Sequence, residues 1–442
     1  MLKHCFTIWC AKCIRFACKL AHKQGVTLAG AFALKFNPSI VTYLADQIPT
    51  TIAICGTNGK TTTNNLMALA LESNHKKVLI NATGSNMKNG IVSALVLAAK
   101  NNGKMDVDYA TLEIDEASLR HITPLIKIDY LVLTNLFRDQ LDRYGEIETT
   151  INLLMQGLNY VPNCKLIING DDVLSYQLAL NSHHEFTSFG IDQAYNYSNH
   201  NDLKEGQFCF NCHTPLKYHF YHYAQLGDYY CPNCGMHHPT DNTTVQSITS
   251  IDPLHFSVDE INFNSNLKGF YNIYNHLAVI ELIKQENLSI QNFADQCTQY
   301  HPAFGRLEQF NINGVNILLN LAKNPAGFNQ NIDLVLNDPN PKEIIIAIND
   351  NEQDGIDVSW LWDVDFERLV SSNVTLFYTC GTRYMDMALR LKYANISCLP
   401  FENINACIDT LIADSSTHNI YVLVNYTALY PTSQHLKKRS NG

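Results

Sequence analysis

The residues best suited to chemistry lie in one short run, Gly56-Thr57-Asn58-Gly59-Lys60-Thr61-Thr62, between an apolar strand and a helix. Glycines there let backbone N–H groups turn towards phosphate oxygens, and the new helix presents its positive end to the same anion. Lys60 reaches the outer phosphates of a nucleoside triphosphate, and the Thr61 hydroxyl suits Mg²⁺. Counted from Gly56 the loop reads GxxGKT, shorter than the full GxxxxGKT, so it says nucleotide but not which reaction. Glu113 ends the strand in TLEIDEASL, where a carboxylate can hold the Mg²⁺ that bridges nucleotide and substrate. Asp115 and Glu116 read, by spacing alone, as solvated acids at a helix start. TNLFRDQLDRYG follows a further strand and is another strand-end loop of the kind where ligands sit.

A second constellation is Cys209-x-x-Cys212 and Cys231-x-x-Cys234, separated by 18 residues. This is zinc-ribbon spacing: two tight knuckles present four thiolates tetrahedrally, leaving no open position for catalysis. Free thiols and a pair of disulfides are the alternatives, and the paired spacing favours structural Zn²⁺ over both. His213, His237 and His238 read as surface residues rather than ligands. A third group is acidic: Asp350, Asp354, Asp357, Asp363 and Asp365 follow the strand EIIIAIN. It reads as a solvated loop or a metal site, but Trp360 and Trp362 argue for burial or a partner surface.

The elements that must position these groups alternate between strand and helix. TIAIC, KKVLINAT, YATLEID, YLVLTNL and CKLIING read as strands, with helix-like segments between them. HLAVIELIKQ reads as a helix, and VNILLNLA, EIIIAIN, VTLFYTC and IYVLVNY as the strands of a second unit. The fold class is therefore α/β: a mostly parallel sheet covered on both faces, interrupted by the ribbon, then a smaller α/β domain. The expected division is a helical lead-in over residues 1–45, a central nucleotide-binding domain over 46–300 with the ribbon inserted at 205–238, and a C-terminal domain over 301–442.

A net charge of −10 argues against a nucleic-acid binder held by phosphate contacts, which normally carries a basic face. The remaining cysteines are scattered, which fits a reducing, cytoplasmic setting. Near the start, Phe6, Trp9, Cys10, Cys13, Ile14 and Ala17 recur at helical spacing among Lys3, Lys12, Arg15 and Lys19. Lys12 and Arg15 break any signal-peptide core. The choice lies between a basic amphipathic helix on the inner membrane surface and a helix packed on its own protein, with packing expected. No segment has the ~20 unbroken apolar residues of a spanning helix.

In this order along the chain, GTNGKTTT, LEIDEASL, TNLFRDQLDRYG, GFYNIYNHLAV and FGRLEQF resemble the Mur ligase family over nearly the whole length. Within the family the chain most resembles the branch of synthetase subunits of lipid II isoglutaminyl synthase. The cysteine pairs in the middle domain, the lead-in helix in place of a UDP-binding domain, and NDNEQDGIDVSWLWDVDFE carry that closer likeness. The resemblance implies ATP, Mg²⁺ and Zn²⁺ as cofactors. It implies ATP contacts from Gly56, Thr57, Asn58, Gly59, Lys60, Thr61 and Thr62, and Mg²⁺ on Thr61 and Glu113. Asn272 and Asn275 would meet the nucleotide near its adenine side, Arg306 would help hold ATP, and Asn324 would face the nucleotide. Two departures stand out: Gln140 where relatives have His, and LAKNP where they have DxAHNP.

The implied reaction is ATP-dependent amidation of a D-glutamate carboxylate in the lipid II stem peptide, through an acyl phosphate. The implied partner is a GatD-like glutaminase that supplies ammonia in a heterodimer. Asp357 would complete that partner's catalytic triad, with Asp350 and Asp354 as rivals. Two other readings stay open: an amino-acid-adding Mur or folylpolyglutamate-type ligase, and a non-catalytic ATP-binding scaffold for a glutaminase.

Overall fold

The computed structural model describes residues 1–20, 25, 27–81, 85–139, 146–195, 205–300, 305–370, 372–413 and 419–440. They form two compact units that divide in sequence at residue 301, with Arg138, Asp139 and Glu146 grouped with the second.

The first unit is built on a parallel sheet in the order β2-β3-β1-β4-β5-β6-β9. These strands are β1 (Thr50–Cys55), β2 (Val78–Ile80), β3 (Tyr109–Glu113), β4 (Tyr130–Leu133), β5 (Lys165–Asn169), β6 (Phe186–Gly190) and β9 (Thr243–Thr244). Thr51 to Cys55 and all of β3 are buried, as expected for strands covered on both faces. The chain leaves β1 towards one edge and returns to its other side at β4. The carboxyl end of β1 is therefore a topological switch point, the usual place for a ligand. Three helices lead in: α1 (Leu2–Leu20), α2 (Leu28–Phe36) and α3 (Ile40–Ala45). Between strands come α4 (Lys60–Ser73) and α5 (Lys88–Ala98). The α4 sequence KTTTNNLMALALES begins with poor helix formers. Burial of Leu66, Met67, Ala70 and Leu71 holds the helix in place.

The ribbon is the hairpin β7 (Lys217–Tyr223) and β8 (Leu226–Tyr230), paired antiparallel, with a cysteine knuckle at each end. A small antiparallel sheet follows, β10 (Ser247–Ile251), β11 (Leu254–Val258) and β12 (Ile261–Ser265), then the helix Tyr271–Gln285.

The second unit holds a six-stranded sheet ordered β13-β14-β18-β15-β16-β17. These are β13 (Glu308–Ile312), β14 (Val315–Leu321), β15 (Lys342–Ala347), β16 (Val374–Cys380), β17 (Leu399–Pro400) and β18 (Asn419–Val424). All pairings are parallel except β13 with β14. Alternate residues feed two cores. Ile345 and Val422 enter one, while Ile344, Ile346 and Leu423 enter the other, so helices cover both faces.

Helix α1 packs on its own protein, against α2 and α5, but not through the whole stripe that periodicity singles out. The face carrying Phe6, Trp9, Cys13 and Ala17 points outward, and the buried residues of α1 are Thr7, Ile8 and Ala11. Periodicity gives an apolar stripe but not the side on which the protein stands. No helix among the described residues is long and apolar enough to cross a membrane.

Candidate nucleotide and metal sites

Parallel pairing sets Ile54 of β1 beside Glu113 of β3, so the phosphate-type loop and the strand-end carboxylate emerge side by side. Gly59 has φ +86° and caps α4 in the left-handed region. A Cβ there would stand 2.3 Å from Asn275 Oδ1, so the position needs glycine for space as well as for conformation. The loop is pinned on several sides. The Gly56 N–H donates to Glu116 Oε1 (2.9 Å) and the Asn58 N–H to Asn135 Oδ1 (2.9 Å). Thr134 donates to the Asn58 carbonyl (2.7 Å), and Thr57 bonds both ways with Phe137, donating to its carbonyl and accepting from its N–H.

Lys60 opens α4 with its ammonium 2.7 Å from Glu116 Oε1 and 2.5 Å from the Gly56 carbonyl. Burial alone would lower its pKa, but the attraction and hydrogen bond of Glu116 win and raise it. The same burial pushes the Glu116 carboxyl up, with Lys60 opposing. Asp115 and Glu116 are therefore not solvated acids, as spacing suggested: each is only 6% exposed. The chain beyond Glu113 folds back behind the loop, and a carboxylate buried there needs a cation. Glu116 is the functional residue that sequence reasoning missed, and its place three residues beyond Glu113 was the available signal.

Thr61 donates its hydroxyl to Glu113 Oε2 at 2.8 Å, and Asn86 donates to the other oxygen at 3.2 Å. A hydroxyl and a carboxylate so close, at a helix start that faces phosphate, form an all-oxygen donor set that fits Mg²⁺. Asn272 and Asn275 are buried against the loop's helix. Asn275 accepts from Thr63 (3.1 Å) and donates to Asn272 (2.8 Å), which donates to the Lys268 carbonyl (2.7 Å). Their visible role is to brace α4.

His276, next on that helix, is fully buried between Phe256 and Phe293. Its Nδ1 lies 2.7 Å from the Asn272 carbonyl, and burial lowers its pKa to about 4. A depressed folded pKa means the stability is present above the ordinary histidine range and is lost as pH falls through it towards 4. Urea unfolding should show a loss on the order of 3 kcal/mol between neutral and mildly acid pH from this group. His276→Gln should flatten that part of the profile; an unchanged profile would reject the assignment.

In the second unit, Arg306 is half-buried just ahead of β13. Asn324 is buried and caps the helix Pro325–Asn337, accepting from the Gly327 N–H at 2.8 Å. Lys323, in the departing LAKNP run, forms an ion pair with Asp139. Gln140 lies outside the described residues. Of the rival aspartates, Asp350 is held by Arg383 (2.8 Å) and Thr382 (2.7 Å), and Asp354 is buried on Thr427. Asp357 is half-exposed and accepts one N–H, from Ser359 at 2.8 Å, which keeps its carboxyl below the usual range. The two tryptophans part company: Trp360 packs on Phe328, while Trp362 is 51% exposed.

The ribbon brings its four cysteines together. Cys209 and Cys234 sulfurs are 3.5 Å apart, Cys212 and Cys231 3.4 Å, and all four lie within 4.8 Å of one another. Tetrahedral Zn–S bonds of ~2.3 Å require sulfurs roughly 3.8 Å apart, so the cluster fits zinc. Hydrogen bonding with Thr214 pulls the Cys212 thiol down, while burial pushes the Cys209 thiol up. His213 and His237 are exposed as expected. His238 is not a surface residue: its Nε2 lies 2.9 Å from the buried Asp171, which draws it inward.

Comparison with known proteins adds the lineage. The Mur ligase middle domain matches residues 54–237, and the MurT ligase C-terminal family matches 321–429. The chain is 32% identical to the lipid II isoglutaminyl synthase (glutamine-hydrolyzing) subunit MurT of Streptococcus pneumoniae, over 94% of this chain and 93% of that protein. It is 31% identical to the subunit of the same name from Staphylococcus aureus (strain COL), over 98% and 97%. A pseudomurein peptide ligase type C from Methanothermus fervidus shares the fold, with TM-score 0.71 at 17% identity over 90% of this chain and 80% of that one. A phosphate-type loop, a strand-end carboxylate, a four-cysteine ribbon and full-length kinship thus agree, and the chain belongs to the MurT family of Mur ligases.

Proposed function

We propose that this chain is the synthetase subunit of a lipid II isoglutaminyl synthase. In this reading it amidates the D-glutamate α-carboxylate of the stem peptide with ammonia from a GatD-like glutaminase subunit. The observation that carries the reaction class is the grouping of Lys60, Thr61 and Glu113 at the start of α4. The substrate and the second subunit are supported by the names of the relatives, each a glutamine-hydrolyzing synthase subunit.

The N–H groups at the start of α4 bind the triphosphate, and the Lys60 ammonium neutralises charge on the outer phosphates. Thr61 and Glu113 would hold Mg²⁺, which supplies further charge neutralisation on the transferring phosphoryl group. A substrate carboxylate oxygen bonds to the γ-phosphorus as the bond to the β-phosphate oxygen breaks, giving an acyl phosphate and ADP. Ammonia then adds to the acyl carbon, phosphate leaves with the C–O electron pair, and the surplus proton passes to solvent.

Asp357 is the aspartate offered to the partner's histidine. Its carboxylate is ionised and half-exposed, whereas Asp350 and Asp354 are engaged within the chain. The exposed Trp362 nearby suits a subunit interface. Asp357→Asn in the heterodimer should lower glutamine-driven amidation by about a hundredfold or more, because the histidine loses its orienting carboxylate. Amidation driven by added ammonia should stay near wild type. Mass spectrometry of lipid II reads both. Equal loss with the two nitrogen sources would remove Asp357 from this role, and no amidation from either source in the wild type would end the reading itself.

A further inference from the structure

Helix α1 has two faces with different surroundings. Thr7, Ile8 and Ala11 are buried on the side that packs against α2 and α5. Opposite them, Leu2, Phe6, Trp9, Cys13, Phe16 and Leu20 recur at intervals of three and four residues, which draws one straight row along a helix. The row is open: Leu2 is 89% exposed, Trp9 57%, Phe16 64% and Leu20 68%. Phe36 at the end of α2 widens it, its ring 5.7 Å from Phe6 with the Lys3 ammonium 5.7 Å above it. Soluble surfaces rarely carry a contiguous apolar row of this kind without an occupant.

Charge identifies the occupant. The first 45 residues contain six Lys and Arg and no Asp or Glu, in a chain whose net charge is −10. Lys12 is spent inward, on the Ala99 carbonyl at 2.6 Å and Asn101 at 3.0 Å. Lys3, Lys19 and Lys35 are exposed. A second copy of this helix would set cations against cations across the seam. A layer of anionic headgroups over acyl chains instead matches both features, the apolar row and the cations beside it. The basic residues along α1 also keep it from crossing the bilayer, so it would lie in the interface.

We propose that α1 beds its Leu2–Leu20 row into the headgroup layer of an anionic lipid surface, with Lys3, Lys19 and Lys35 on the phosphates. This does not depend on the amidation chemistry.

The test uses the full chain and vesicles of phosphatidylcholine, alone or mixed with phosphatidylglycerol. Wild type should float with the anionic vesicles, bind the neutral ones weakly, and dissociate as salt is raised. Trp9→Glu/Phe16→Glu should weaken anionic-vesicle binding by about tenfold or more, with far-ultraviolet circular dichroism unchanged. Lys3→Glu/Lys19→Glu, which leaves every apolar contact in place, should also weaken binding and flatten its salt dependence. Absence of wild-type flotation, or equal flotation by both variants, would overturn the proposal. So would a wild-type dimer in sedimentation that Trp9→Glu/Phe16→Glu dissolves while vesicles bind neither form; the row would then belong to a second copy.

Discussion

Lys60→Ala should abolish ATP-dependent amidation, by about a thousandfold or more, with glutamine or ammonia as nitrogen source. The side chain is a fixed cation at the start of α4, where the phosphates must lie, and little else in the loop carries charge. A complication follows from Glu116. Removing the ammonium leaves that carboxylate buried with backbone N–H donors, that of Gly56 among them, but without the Lys60 cation. Stripping one partner from a buried pair typically costs about 3–5 kcal/mol, so Lys60→Ala also destabilises the protein. Lys60→Ala/Glu116→Gln separates the two effects. The double variant should recover much of the stability and none of the activity, read by thermal unfolding and by lipid II mass spectrometry. If amidation survived in either variant, the chain would be a scaffold and the phosphoryl transfer would lie elsewhere.

The second large effect concerns the ribbon. Cys231→Ser/Cys234→Ser should eliminate one bound zinc per chain, measured by elemental mass spectrometry, and lower the thermal midpoint by roughly 10 °C. The loss should also reach the nucleotide site. Gln225, at the ribbon's hairpin turn, donates to the Leu136 carbonyl (2.7 Å) and to Asp172 (3.2 Å). Asp172 in turn accepts from the Leu136 N–H (2.8 Å), and the next residue, Phe137, holds Thr57 of the phosphate loop. A loosened ribbon therefore releases one wall of that loop, and nucleotide affinity should fall with zinc content. A zinc-free variant with an unchanged midpoint and unchanged nucleotide affinity would show that the ribbon is ornamental.

The parts of this fold that sequence revealed are those where type and spacing speak together. TIAIC, Lys60 and the paired cysteines each carry a strong local pattern, and the structure places β1, α4 and the thiol cluster on them. Direction was less legible. The row Phe6, Trp9 and Cys13 has helical period, yet period does not say which side meets protein, and that row faces out. Glu116 looked like a surface acid because its partner, Lys60, lies 56 residues away and only the β1–β3 pairing brings them together. His238 was misplaced for the same reason, since Asp171 is distant in sequence. Which of Asp350, Asp354 and Asp357 are engaged within the chain was also not legible, because Arg383 and Thr427, which hold two of them, are far along the chain.

On the acyl-phosphate route a carboxylate oxygen of the substrate becomes an oxygen of phosphate. Lipid II labelled with ¹⁸O in the D-glutamate α-carboxylate, turned over by the heterodimer with ATP and ammonia, tests it directly. Activation through an acyl phosphate transfers one ¹⁸O to each inorganic phosphate released, visible by ³¹P resonance or mass. Unlabelled phosphate accompanying amidated product would contradict it.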